Sequence, residues 1–164
     1  DWGTTPIRSV IEAELLPYVQ DSDHQVDLQG PLIELAPNDA LSLGLASHEL
    51  ATNAAKYGAL SQPGGQVSVH WKLISEGLVR LEWQESGGPP VAPVSSRGFG
   101  TDLIERIVAH ELKHEVKLDF RPEGVRCVLT IPVRQPTQFS MRASRMSARE
   151  NRPPASSPAP TPAP

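Results

Sequence analysis

Two segments in the middle of the chain alternate apolar and polar residues strictly, and that alternation limits the possible folds more than any other feature. Residues 66–74 carry Val67, Val69, Trp71 and Leu73, and residues 78–84 carry Val79, Leu81 and Trp83. Side chains on a strand point to opposite faces in turn, so each segment has one apolar face. Ser75-Glu76-Gly77 between them predicts a hairpin turn. A hairpin with a single apolar face needs a second layer over that face.

Helical periods supply the layer. Residues 6–18 place Ile7, Val10, Ile11, Ala13, Leu15 and Leu16 at helical spacing, with Pro6 near the first turn. Asn38 or Asp39 is the expected cap of a long helix reaching about Tyr57 and ended by Gly58. Residues 25–29 and 32–35 read as two short strands turned by Gly30-Pro31. A Gly/Pro/Ser loop over residues 86–96 precedes Gly98-Phe99-Gly100, which opens a helix over 101–114. Residues 115–120 and 125–133 form a second expected hairpin about Pro122-Glu123-Gly124. The expected fold class is α+β, a two-layer α/β sandwich with a mixed sheet and helices on one face.

Charge is unevenly spread. The chain has 164 residues and a net charge of −4. From Pro136 onward Arg142, Arg145, Arg149 and Arg152 face one acid, Glu150, so this end is +3 and the rest is −7. An acidic body argues against a nucleic-acid partner, because such binding draws on Lys and Arg against phosphates. Residues 149–164 are Pro/Ala/Ser-rich and predict disorder. The expected organisation is a folded domain over 1–134 and a disordered, basic, Pro-rich tail over 135–164. One cysteine, Cys127, excludes an internal disulfide and any multi-thiolate site; its strand-like surroundings predict a small buried side chain. No apolar run is long enough to span a bilayer, and no signal-peptide pattern is present. The chain starts at Asp1, and the expectation is a cytoplasmic piece of a longer protein without membrane contact.

The long predicted helix reads His48-Glu-Leu-Ala-Thr-Asn-Ala-Ala-Lys-Tyr57. Glu49, Asn53, Lys56 and Tyr57 fall on one stripe, while Leu43, Ala46, Leu50 and Ala54 form the core stripe. A carboxylate, an amide oxygen and an ammonium in a row suit a cation held beside phosphates. Mg²⁺ takes oxygen ligands and keeps most of its waters. The same stripe also reads as an ordinary solvated helix face. Glu85 ends a predicted strand just before Gly87 and Gly88; a carboxylate accepts from an exocyclic amine, and glycines let a flat ring approach the backbone. Gly98-Phe99-Gly100-Thr101 opens a helix whose free N–H groups can seat phosphate. Gly-x-Gly alone is weak; the three elements in this order are much more specific.

On these residues the chain resembles the HWE histidine kinases of the GHKL ATPase superfamily. The N-box string from Leu45 to Ser61 carries His48, Trp83-Gln84-Glu85 supplies the Trp-x-Glu of the first glycine box, and Asp1-Trp2-Gly3, Gly30-Pro31, residues 97–101 and Pro122-Glu123-Gly124 extend the match. The resemblance implies a Bergerat-type fold that binds ATP with Mg²⁺. It implies Asn53 for the metal, Glu49 for polarising or positioning, and Lys56 near phosphate. Tyr57 joins the nucleotide-binding set. Glu85 stands where related proteins place the residue that binds the adenine amine, with Gly87 and Gly88 beside the ring. Residues 89–97 would be a short lid, and Gly98, Phe99, Gly100 and Thr101 would hold phosphate. His48 reads either as a partner of the site or as packing, and Trp83 as core.

The implied reaction moves the γ-phosphoryl group of ATP to a histidine on a separate dimerisation domain, for a downstream response regulator in two-component signal transduction. His24, His48, His70, His110 and His114 show no acceptor pattern, so the expectation is an isolated catalytic domain that cannot phosphorylate itself. Two other classes share the motifs: an anti-sigma-type GHKL serine kinase or binding module, and a nucleotide-binding pseudokinase. His110-Glu-Leu-Lys-His114 spells a zinc string, but the helix ends there and no third ligand follows, so a polar face is the better reading.

Overall fold

The computed structural model describes residues 3–19, 25–91 and 102–133, and Asp1–Val133 forms one compact unit. The expected disordered tail, the Gly98–Thr101 phosphate seat and most of the expected lid lie outside the described residues.

Among the described residues, seven strands, three helices and a 3₁₀ turn at Ala59–Ser61 follow in chain order. β1 is Thr5–Pro6, α1 Ile7–Val19, β2 Gln25–Gln29, β3 Glu34–Leu35 and α2 Pro37–Tyr57. β4 (Gln66–Ser75), β5 (Leu78–Ser86), α3, β6 (Val116–Arg121) and β7 (Gly124–Pro132) complete the fold. α3 is a π-helical stretch, Leu103–Val108, continued by one α-helical turn, Ala109–Leu112. The main sheet has the order β2-β4-β5-β7-β6, with β2 parallel to β4 and the other pairs antiparallel. Among the described residues the helices pack on one face of this sheet, as the two-layer expectation requires.

Alternation builds the core. Val67, Val69 and Trp71 of β4 and Val79, Leu81 and Trp83 of β5 point inward, against Ile7, Ile11 and Leu15 of α1, Leu43, Ala46, Leu50 and Ala54 of α2, and Ile104, Val108 and Leu112 of α3. Cys127 is buried in the same core, which pushes its thiol up to about 12. Inward alternation fails past Trp71: Leu73 is exposed, where a bulge shifts the β4–β5 register.

Three expectations change. The strands flanking Gly30-Pro31 do not pair with each other: β2 joins β4, and β3 pairs with β1. Gly30 instead seats Trp71, whose ring occupies the space where a Cβ would stand and whose indole N–H donates to the Pro31 carbonyl at 2.8 Å. α2 has no side-chain cap; Ala36 precedes it and Pro37 opens it, where a missing N–H costs nothing. The last helix stops at Leu112, with Lys113 left-handed at φ 59°, so His110 and His114 do not share a helical face. Among the described residues no three His, Cys, Asp or Glu side chains come together as a metal cage.

Candidate functional site

The polar stripe of α2 stands as the spacing predicts. Glu49 and Asn53 are half-buried one turn apart, and Lys56 and Tyr57 are exposed at the helix end. The opposite stripe holds the core, so the helix cannot rotate Asn53 away without exposing Leu43, Leu50 and Ala54. An amide oxygen and a carboxylate one turn apart form a hard-oxygen donor set, which fits Mg²⁺. Without a protein cage among the described residues, Asn53 would hold the ion together with ligand oxygens.

Glu85 occupies a position that strand geometry reserves for a hydrophobe. Val79, Leu81, Trp83 and Glu85 form the inward face of β5, and Glu85 is only 2% exposed. A carboxylate there needs donors. The Trp83 indole N–H donates to Oε2 at 2.9 Å, and the Ala59 backbone N–H donates to Oε1 at 3.1 Å. Burial pushes the Glu85 carboxyl above its ordinary range, and these two donors oppose the shift. A buried, perturbed carboxylate that breaks the strand's own pattern is a candidate for a functional group.

The surrounding glycines make this arrangement possible. At Gly58 a Cβ would collide with Glu85 Oε1. Its φ of −119° is open to any residue, so close approach, and not a left-handed cap, explains the glycine that ends α2. A Cβ on Gly88 would lie 2.8 Å from the Ala59 backbone, and one on Gly87 2.7 Å from the Gly64 carbonyl. Gln62 Nε2 donates to the Gly87 carbonyl at 3.1 Å. Gly87 and Gly88 thus serve the backbone packing of the turn, independently of any ring.

The structure brings Glu85, Gly87 and Gly88 together with the end of α2, and Glu49 and Asn53 precede that end on one helix. Sequence reasoning missed three participants: Trp83 as a donor, Ala59 as the second donor, and Gly124, where a Cβ would overlap the Glu85 carbonyl. Only the first had a local signal, the i, i+2 spacing that puts Trp83 and Glu85 on one strand face. His48 faces away from the stripe's chemistry: its Nδ1 lies 2.9 Å from Glu14 Oε2 and ties α2 to α1. Two concavities, of about 440 Å³ beside Gln25, Ser68 and Gln84 and about 670 Å³ between α1 and β2, lie away from Asn53.

This fold is that of histidine kinase catalytic domains. The histidine kinase domain of an Erythrobacter litoralis blue-light activated histidine kinase superposes with a TM-score of 0.63 at 19% identity, over 79% of this chain and 60% of that one. Histidine kinase ThkA, solved in complex with response regulator protein TrrA, superposes with a TM-score of 0.55 at 16% identity, over 79% and 42% of the two chains. No family model matches the chain. In sequence it is 41% identical over 139 residues to blue-light-activated histidine kinase 1 of Erythrobacter litoralis, covering 83% of this chain and 38% of that protein. The chain has the catalytic-domain fold of histidine kinases, is related in sequence to the blue-light-activated histidine kinases of the HWE type, and spans well under half of those relatives' length, 38% and 26% of two of them.

Proposed function

We propose that the chain binds ATP with Mg²⁺ and transfers the γ-phosphoryl group to a histidine on a separate dimerisation domain, from which a response regulator takes it. The observation that carries the reading is the half-buried Glu49–Asn53 pair on α2, set on the helix that ends against a buried carboxylate, Glu85. Kinship to proteins named as histidine kinases supports the acceptor, and the ThkA–TrrA complex supports the regulator.

Each residue has a role in this reading. The Asn53 amide oxygen holds the cation, which neutralises charge on the phosphoryl oxygens when bound. Glu49 orients a water or accepts a proton within one turn of it. Lys56, free to reach outward, sets a positive charge near the phosphates. Tyr57, exposed beside it at the end of α2, joins the nucleotide-binding set. Glu85 accepts a hydrogen bond from the adenine amine through a lone pair left over from its two protein donors. Gly98, Phe99, Gly100 and Thr101, outside the described residues, seat the phosphates through backbone N–H groups. Phosphoryl transfer asks the protein for positioning and charge neutralisation above all, which this set supplies.

The test is transfer from γ-labelled ATP to a helical acceptor-histidine domain from a blue-light-activated relative. The expected product is acid-labile and base-stable, a phosphoramidate, and the chain incubated alone stays unlabelled. An acid-stable phosphoserine would favour the anti-sigma-type reading, and tight ATP binding without transfer would favour the pseudokinase.

A further inference from the structure

The Trp-x-Glu pair holds more chemistry than a packing residue beside a ligand contact. Trp83 and Glu85 sit two apart on the inward face of β5, 1% and 2% exposed. The indole N–H reaches Oε2 along the strand at 2.9 Å, and the Ala59 N–H reaches Oε1 from the turn after α2 at 3.1 Å. Two donors arriving from different elements fix both the position and the plane of the carboxylate. One lone pair remains on each oxygen. Both donors are neutral, and among the described residues the causes that set the Glu85 titration are its burial and these two hydrogen bonds. The indole thus supplies one of the two hydrogen bonds that offset the burial of the charge.

We propose that Trp83 is the positioning residue for purine selection: its indole N–H locks the Glu85 carboxylate so that an oxygen meets the exocyclic amine of adenine and opposes the carbonyl of guanine. This rests on the nucleotide reading of the site. Adenine offers an N–H₂ donor at the position where guanine offers an oxygen acceptor. A carboxylate locked in a buried site rejects the acceptor strongly, whereas one free to swing can relieve the repulsion. Phenylalanine at position 83 keeps the ring and the packing but removes the donor, which separates the lock from the fill.

The full chain is tested in two ways. Without nucleotide, the Trp83 indole ¹H–¹⁵N resonance, assigned by single Trp2→Phe, Trp71→Phe and Trp83→Phe substitutions, should be downfield, slow to exchange and lost from its position when Glu85→Gln is introduced. By calorimetry with Mg²⁺ present, wild type should favour ATP over GTP, and Trp83→Phe should lower that ratio by roughly tenfold, with GTP affinity unchanged or higher. A purely structural role would weaken both nucleotides equally. If Trp83→Phe does not fold, the wild-type resonance and its response to Glu85→Gln decide. An indole proton exchanging like an exposed one, or a folded Trp83→Phe with the wild-type ATP:GTP ratio, overturns the proposal. Wild type that binds neither nucleotide instead overturns the functional reading and this inference with it.

Discussion

The two faces of the sheet treat carboxylates in opposite ways. On the inward face Glu85 packs closely against Gly58 and is held by neutral N–H donors from Ala59 and Trp83. On the other face both Asp27 oxygens accept from Gln29 Nε2 and Oδ2 lies 2.9 Å from His70 Nε2, while Glu82 bridges Arg80 and Arg126 at 3.2 Å each. The pKa directions follow. Burial raises Glu85, whereas the His70 and Gln29 hydrogen bonds hold Asp27 below its ordinary value. Exposed ion pairs in water contribute little, but a desolvated carboxylate constrains everything packed around it. The same residue class is therefore dispensable on one side of a strand and decisive on the other.

The largest effect should come from closing the space around Glu85. Gly124→Ala puts a methyl group into the Glu85 carbonyl, backbone against backbone, and should cost about 3 kcal/mol or more of stability, read by denaturant unfolding. A cost under about 0.5 kcal/mol, ordinary for a surface site, would show that the inward face is not as tightly fixed as its contacts indicate. Next, Glu85→Leu leaves the Ala59 and Trp83 donors without an acceptor and should cost about 2 kcal/mol, while also weakening ATP and ADP together.

The pH dependence distinguishes the faces by sign. Glu85 titrates above its ordinary 4.5 in the folded state, so the folded protein binds more protons than the unfolded chain as pH rises from 4.5 to that raised value. Its contribution to stability is complete below pH 4.5 and is lost through this window. Unfolding free energy measured against pH should thus show wild type losing stability relative to Glu85→Gln as pH rises. Asp27 does the reverse: its contribution is present above its ordinary 3.8 and is lost as pH falls through the lowered value. Asp27→Asn should therefore lose its stability difference from wild type only at the acid end, and a shared sign for the two variants would contradict the comparison. The smallest effect is expected from Glu82→Ala, under about 1 kcal/mol and shrinking in high salt.

Much of this contrast is legible in the sequence and some is not. Period two assigns β4 and β5, places Glu85 in line with Val79, Leu81 and Trp83, and so shows a carboxylate on a core face. The α2 stripes follow from 3.6-residue spacing in the same way. What closes over Glu85 is not legible, because the Ala59 N–H lies 26 residues away and only the folded turn after α2 delivers it. The pairing of β2 escapes for a similar reason: its partner β4 lies across α2, and Gly30-Pro31 imitates a hairpin turn while seating Trp71. The stop at Lys113 carries no glycine to announce it, and nothing in residues 103–108 signals a π-helical winding. Local periods write the layers, and long-range contacts write the surroundings of Glu85.

The most direct test of the account is calorimetric titration of the full chain with ATP, with and without Mg²⁺, beside Asn53→Ala. The account predicts a Mg²⁺-dependent heat of binding in wild type that Asn53→Ala abolishes, with thermal unfolding within a degree or two because Asn53 is only half-buried. Equal Mg²⁺-dependent affinity in Asn53→Ala, or no heat at all from folded wild type, would contradict it.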